Sequence, residues 1–188
     1  DKVDGLSSIT NRGTKVVFLN NRMPNDRIRF SLAHELGHII MHLDDIIPNN
    51  RNAEDEANVF ASEFLMPSND IKPLLYNLNM TKIADLKRRW RVSMHALVKR
   101  AKCLETISNE TYRNFQINFS KRGYTKKEPI DLPSEKPLIL DTLLKGFKRD
   151  LGYSDNDLMN MMKINKKDYE NWFCDIPQTL TIPLRNFS

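Results

Sequence analysis

The sequence predicts a mainly helical α+β fold that begins with a small β-sheet. Two short segments, 3–9 and 15–20, flank an Asn-Arg-Gly sequence at 11–13, and together they indicate a β-hairpin. The residues from Val16 to Leu19 are consecutively apolar, as in a buried strand. Beyond residue 26 the apolar residues recur every three or four positions, which is the period of an amphipathic helix. With 188 residues the chain can bury one good core and a smaller second unit.

Two helices are predicted directly after the hairpin. The first begins with Asp26 as its N-cap, ends near Leu43 and turns five apolar residues inward, namely Ile28, Leu32, Leu36, Ile39 and Ile40. A polar loop at 48–52 follows. The second helix covers residues 53–66 and is ended by Pro67. Its apolar stripe consists of Ala57, Phe60, Ala61, Phe64 and Leu65.

The rest of the chain is predicted to be helical on both sides of a linker. Residues 68–70 are expected to cap another short helix, two helices are expected in 81–104 around a tight turn at 91–93, and one more at 108–121. The linker is 122–137, which contains one glycine and three prolines. Helices follow at 138–150, 154–163 and 166–173, where Met159, Met161 and Met162 are expected to pack. These patterns predict three parts, namely 1–80, 81–121 and 122–188.

Composition narrows the class of protein. Hydrophobic residues make up 40% and charged residues 28%, as in a globular protein in water. No apolar run reaches the roughly 18–20 residues that span a bilayer, so no membrane contact is expected. Two cysteines, Cys103 and Cys174, are too few for a disulfide framework, which favours a cytoplasmic location. The net charge of +5 permits contact with nucleic acid without requiring it. The chain begins without methionine, which is compatible with an upstream leader or domain.

The most informative pattern is HELGH at residues 34–38, an HExxH sequence in an apolar run. His34 and His38 are four residues apart, so on a helix they lie on one face and can hold one zinc ion. Glu35 lies beside the first histidine, where its carboxylate could take a proton from water at the metal. Gly37 is a poor helix residue and indicates a close approach of another segment. Without further context, the same five residues also fit an ordinary amphipathic helix.

A catalytic zinc site needs a third protein ligand, and four residues downstream are candidates. His42 is two helical turns from His34, about 12 Å along a straight helix, which is too far for one tetrahedral site. Asp44 would require a helix-breaking glycine at position 41, where this chain has Met41.

The remaining candidates, Glu54 and Glu56, lie on the second helix. Glu54 is three residues before Ala57 on the buried face, whereas Glu56 is rotated by about 200° from it. We therefore choose Glu54 as the third ligand and keep Glu56 as the fallback. Asn58, one turn after Glu54, could hydrogen-bond a ligand and orient it.

RFSLAHELGH at 29–38 and EDEANVFASEFLMP at 54–67 together resemble the ImmA/IrrE family of zinc metallopeptidases. The family pattern is R-F-[ST]-x-A-H-E-L-G-H followed by E-x-x-A-N-x-F-A-x-x-[LF]-L-M-P, and the resemblance extends over residues 3 to about 121. It implies a zincin-like core in residues 1–80, with a zinc ion held by His34, His38 and Glu54 and with Glu35 as general acid and base. It also implies a protein substrate, typically a helix-turn-helix transcriptional repressor. Many members carry a repressor-like domain at their own N-terminus.

The mechanism that this resemblance implies is hydrolysis of an amide by water at the zinc. Glu35 would accept a proton from the water and pass it to the leaving amine. Such sites usually contain an oxyanion partner, and the sequence does not choose among the four candidates His95, Tyr76, Tyr112 and Tyr124.

Residues 82–104 carry a second signal, because a basic helix, a short turn with Ser93 and another basic helix resemble a helix-turn-helix. One interpretation is contact with DNA. The other is a helical subdomain of the peptidase with basic residues on a solvated face, which the absence of Asn and Gln from the second helix favours. The alternative function is therefore a DNA-binding or sensor protein with a peptidase-like core.

Overall fold

The computed structural model describes residues 4–11, 13–42, 52–135, 138–170 and 173. The chain divides into two compact units, Asp1–Ser134 and Glu135–Ser188. Helices dominate the described residues and the only sheet among them is a two-stranded one near the N-terminus, so the predicted α+β class is confirmed. The predicted boundary at residue 80 lies inside the first unit and stays a prediction.

The sheet is an antiparallel hairpin of β1 (Gly5–Ile9) and β2 (Lys15–Leu19). Gly13 has a φ of 78° in the turn, and its N–H donates to the Thr10 carbonyl at 2.9 Å. The predicted strand at 15–20 is confirmed, but the predicted burial of its apolar residues is wrong for Phe18, which is 47% exposed. Helix α1 packs on this hairpin, and alternate side chains of a strand point to opposite faces.

Helices α1 (Asn25–Met41) and α2 (Ala53–Leu65) pack against each other. The N-cap of α1 is Pro24, whose carbonyl accepts the first helical N–H groups. The prediction of Asp26 as the cap is therefore wrong, because its buried carboxylate instead accepts a hydrogen bond from Lys87 Nζ at 2.6 Å. The predicted helix end at Leu43 and the candidate ligand Asp44 lie outside the described residues.

Small residues form the contact between α1 and α2. A Cβ atom added at Gly37 would lie 3.3 Å from Ala57 Cα and 3.1 Å from Phe60 Cδ1, which confirms the predicted close approach. Ala33, Ala57 and Ala61 are buried beside it. Three residues predicted to face inward are nevertheless exposed, namely Leu32, Ile40 and Phe64.

The remaining helices of the first unit surround its hydrophobic core. In chain order they are α3 (Ser68–Ile71), a 3-10 turn (Lys72–Leu75), α4 (Met80–Trp90), α5 (Met94–Cys103) and α6 (Asn109–Lys121). The predicted tight turn between α4 and α5 is confirmed: Arg91 is left-handed with a φ of 55°, and the Ser93 side chain caps α5. Ile83, Leu97 and Phe119 are fully buried between these helices.

Residues 122–134 belong to the first unit, so the prediction of an extended linker is wrong for this part. Glu128 Oε2 accepts hydrogen bonds from Lys87 Nζ at 2.7 Å and from the Met94 N–H at 2.9 Å, and its Oε1 lies 2.9 Å from His95 Nδ1. Burial alone would raise the pKa of Glu128, but these hydrogen bonds outweigh it and lower the pKa to about 2. The segment therefore ties α4 and α5 together.

The second unit contains α7 (Leu138–Leu151), α8 (Asp155–Met162) and α9 (Lys166–Tyr169). Ser154 and Asp157 form a reciprocal capping box at the start of α8. Leu158 and Tyr169 are buried, whereas Met161 is 47% exposed, so the expected packing of all three methionines is wrong for Met161. None of the helices in the described ranges is long and apolar enough to cross a membrane.

Candidate metal centre

Three side chains from α1 and α2 converge on one point. The Nε2 atoms of His34 and His38 are 3.0 Å apart on one face of α1. Glu54, in the first turn of α2, places Oε2 3.3 Å from His34 Nε2 and Oε1 3.3 Å from His38 Nε2. Acidic residues are favoured in this turn because the N-terminus of a helix carries partial positive charge. The structure thus brings together the three residues that the sequence singled out as ligands.

This cluster fits a zinc ion. Ligand atoms at about 2.0–2.2 Å around a tetrahedral ion are about 3.3–3.5 Å apart, close to the separations of 3.0 and 3.3 Å observed here. Two imidazoles and one carboxylate are a donor set of catalytic zinc sites, which keep a further position open. Burial lowers the pKa of His38, and the nearby imidazole of His34 lowers it further, which favours the neutral ring that binds metals.

In both histidines the Nδ1 atom, on the side of the ring away from the cluster, contacts a further side chain. His34 Nδ1 lies 3.2 Å from Asn58 Oδ1, so the hydrogen bond predicted for Asn58 is confirmed. His38 Nδ1 lies 3.0 Å from Nδ1 of His42, which is itself 2.9 Å from Glu56 Oε2 through its Nε2. His42, which was rejected as a ligand, and Glu56, which was kept as the fallback, therefore contact each other behind the cluster. Sequence reasoning missed this role, although the four-residue spacing from His38 to His42 is a signal for it.

Glu35 is buried below strand β1 and lines the same cleft as the three clustered residues. A Cβ atom added at Gly5 would lie 3.0 Å from both Cγ and Oε1 of Glu35. The absence of a side chain at position 5 thus allows β1 to lie directly over the carboxylate. Sequence analysis assigned no role to Gly5.

The cleft has a volume of about 590 Å³ and is lined on one side by β1 and on the other by α1 and α2. None of the four residues considered as oxyanion partners lines it in the part of the chain that the structure describes. Two of them, His95 and Tyr124, line a separate cavity around Glu128. The structure therefore does not bring these candidates to the cluster.

The basic residues of 82–104 fall into two groups. Lys87 and Arg100 are buried, and Arg100 donates to the Met66 carbonyl and to the Glu63 carboxylate. Both belong to the interior of the first unit. Arg88 and Lys99 are exposed, and contact with DNA through this region stays a prediction. Duplex binding that weakens steeply with salt, and that is lost on charge reversal at Arg88, would test it.

An HExxH helix that faces a second, acidic helix is the arrangement of a metallopeptidase-like site. The model of the peptidase family M78, described as the IrrE N-terminal-like domain, matches residues 1–102. The chain therefore belongs to this peptidase family, and the resemblance inferred from its motifs is confirmed. The match ends within α5, so α6 and the second unit lie outside it. Curated proteins and solved structures give no match.

Proposed function

We propose that this protein is a zinc-dependent endopeptidase that cleaves a regulatory protein, specifically a helix-turn-helix transcriptional repressor, in the cytoplasm. His34, His38 and Glu54 hold the zinc ion in this proposal, and Glu35 is the general acid and base. The observation that carries it is the convergence of His34 Nε2 and His38 Nε2, which are 3.0 Å apart, with the Glu54 carboxylate, whose two oxygens each lie 3.3 Å from one of these nitrogens, beside the buried carboxylate of Glu35.

The separate roles of the zinc ion and of Glu35 follow from the geometry of the cleft. A zinc ion bound here would supply a Lewis acid that polarises the scissile carbonyl and lowers the pKa of water toward about 7. Glu35 takes the proton from the attacking water and later gives it to the amide nitrogen that leaves. Gly5 has no side chain that would crowd the Glu35 carboxylate. Glu35 can therefore lie under strand β1 beside His34 and His38, where it is shielded from bulk water.

Three considerations support a protein substrate of the repressor class. Membership of a peptidase family supports a peptide bond as the bond that is cleaved. The two-part motif at 29–38 and 54–67 resembles a family whose members typically act on such repressors. The open cleft beside β1 has room for several residues of an extended chain.

The test combines metal analysis with co-expression. The protein and its Glu35→Gln variant are purified for zinc analysis, and each is co-expressed with any helix-turn-helix repressor that a neighbouring gene encodes. We expect about one zinc per chain in both proteins and a repressor fragment, detected by mass spectrometry, only with the unaltered protein. Glu110→Gln, an exposed change on α6, serves as the matched control and should cleave normally. A protein without zinc, or cleavage that survives Glu35→Gln, would contradict the proposal.

A further inference from the structure

The two histidines of the candidate metal centre have unlike partners behind them. His34 meets a neutral amide, Asn58 Oδ1, at 3.2 Å. His38 meets a second imidazole, His42, and that imidazole meets the carboxylate of Glu56. The side chain of His42 is 4% exposed, whereas that of Glu56 is 31% exposed. A buried ring thus separates His38 from a carboxylate that reaches solvent.

The chemistry of imidazole gives this chain of hydrogen bonds a direction. A neutral imidazole has one N–H donor and one acceptor nitrogen. If Nε2 of His38 offers its lone pair to the cluster, its Nδ1 carries the hydrogen and donates to His42 Nδ1. His42 must then carry its own hydrogen on Nε2, which donates to Glu56 Oε2 at 2.9 Å. Each imidazole donates once and the Glu56 carboxylate only accepts, so one arrangement of hydrogens satisfies the whole chain.

We propose that His42 and Glu56 are positioning residues that hold the His38 ring with its Nε2 lone pair directed at the metal. This inference rests on the proposed zinc centre. Carboxylates linked to metal-binding histidines fix the tautomer and make the ring a stronger ligand. Because, among the residues that the structure describes, a carboxylate is linked in this way to His38 and not to His34, His38 is the stronger ligand of the two histidines.

The geometry separates this role from direct ligation by Glu56. Glu54 and Glu56 both lie in the first turn of α2 but point to different histidines of α1. Glu54 places its oxygens on the Nε2 atoms of His34 and His38, whereas Glu56 places Oε2 on His42. The first turn of α2 therefore supplies Glu54 to the Nε2 atoms of His34 and His38, and Glu56 to His42 on the Nδ1 side of His38.

Zinc affinity tests this inference without any need for a substrate. The dissociation constant for zinc alone is measured by competition with a chromogenic chelator in the full-length protein and its variants. We expect His42→Phe to weaken binding by about 10–100-fold and Glu56→Gln by about 10-fold. The double variant should bind zinc no more weakly than His42→Phe alone, because both residues act through one chain of hydrogen bonds. Asp55→Asn removes a neighbouring carboxylate that does not contact His42, and it should leave affinity unchanged.

Thermal melting of the metal-free proteins shows whether each variant folds. If His42→Phe does not fold, the comparison of Glu56→Gln with Asp55→Asn decides. Unchanged affinity in Glu56→Gln and His42→Phe would overturn the inference while leaving the zinc centre intact. Loss of binding in Glu56→Gln as complete as in Glu54→Gln would also overturn it, because Glu56 would then be a ligand. Absence of zinc binding by the unaltered protein would instead refute the proposed function itself.

Discussion

Glu128 is expected to make the free energy of unfolding of the first unit fall at low pH, and the Glu128→Gln variant isolates this effect. The carboxylate joins Lys87, His95 and the backbone N–H of Met94, and these contacts lower its pKa from the ordinary value of 4.5 to about 2. Since one pKa unit is worth about 1.4 kcal/mol, the ionised carboxylate contributes about 3 kcal/mol to the free energy of unfolding.

The direction of this pH dependence follows from proton binding at Glu128. Between pH 4.5 and about 2 the unfolded chain binds a proton at Glu128 and the folded chain does not. The contribution is therefore complete above pH 4.5 and is lost as the pH falls through about 2. Glutamine resembles the protonated acid, so Glu128→Gln should cost about 3 kcal/mol at pH 7 and progressively less in acid.

Urea unfolding of the metal-free protein, followed by circular dichroism between pH 7 and 2.5, measures this difference. Asp131→Asn is the matched control, because it removes an exposed carboxylate from the same segment and should leave the free energy of unfolding nearly unchanged. A gap between the unaltered protein and Glu128→Gln that stays constant from pH 7 to 2.5 would refute the reasoning. So would the absence of a gap at pH 7.

Three further predictions concern the candidate metal centre. Gly37→Ala places a Cβ 3.3 Å from Ala57 Cα; overpacking of about 1–3 kcal/mol then exceeds the helix-propensity gain of about 1 kcal/mol. Urea unfolding of this variant should show a lower free energy of unfolding. Chelator competition should show weaker zinc binding, because Glu54 lies on the displaced helix. A gain in both stability and zinc affinity would contradict this prediction. Gly5→Ala should slow repressor cleavage at unchanged zinc affinity, because it crowds Glu35, and a parallel loss of zinc would contradict this. A chelator should lower the melting temperature, since zinc at 100 times its dissociation constant adds about 2.7 kcal/mol; an unchanged melting temperature would contradict the zinc centre.

The parts of the site that depend on helical spacing could be predicted from the sequence. His34 and His38 share a face because they are four residues apart, and Asn58 lies one turn after Glu54. Their contacts follow once the two helices pack together. The fold class was equally accessible, because the periods of strands and helices differ.

Which side chains are buried was less predictable, because it depends on how closely helices approach. Leu32 and Phe64 match an inward stripe by spacing, yet both are exposed. At Gly37 the backbone of Ala57 and the ring of Phe60 approach α1 so closely that a Cβ atom there would lie only 3.1–3.3 Å from them. Periodicity identifies a face of a helix but not the distance to its partner.

Long-range ion pairs were not predictable at all. Lys87 appears in a basic run that suggests a solvated face, but it is buried between Asp26 and Glu128. These carboxylates lie 61 and 41 residues away in the sequence, and no local pattern links them to the lysine. The same pairing explains why residues 122–134, which include two prolines, belong to the first unit instead of extending as a linker.

The central claim is that α1 and α2 together hold one zinc ion through His34, His38 and Glu54, with Glu35 left free for proton transfer. A zinc titration that compares the unaltered protein with Glu54→Gln and Glu35→Gln tests it most directly. We expect one zinc per chain in the unaltered protein, severely weakened zinc binding in Glu54→Gln and unchanged zinc binding in Glu35→Gln. Equal zinc binding by Glu54→Gln and the unaltered protein would contradict it.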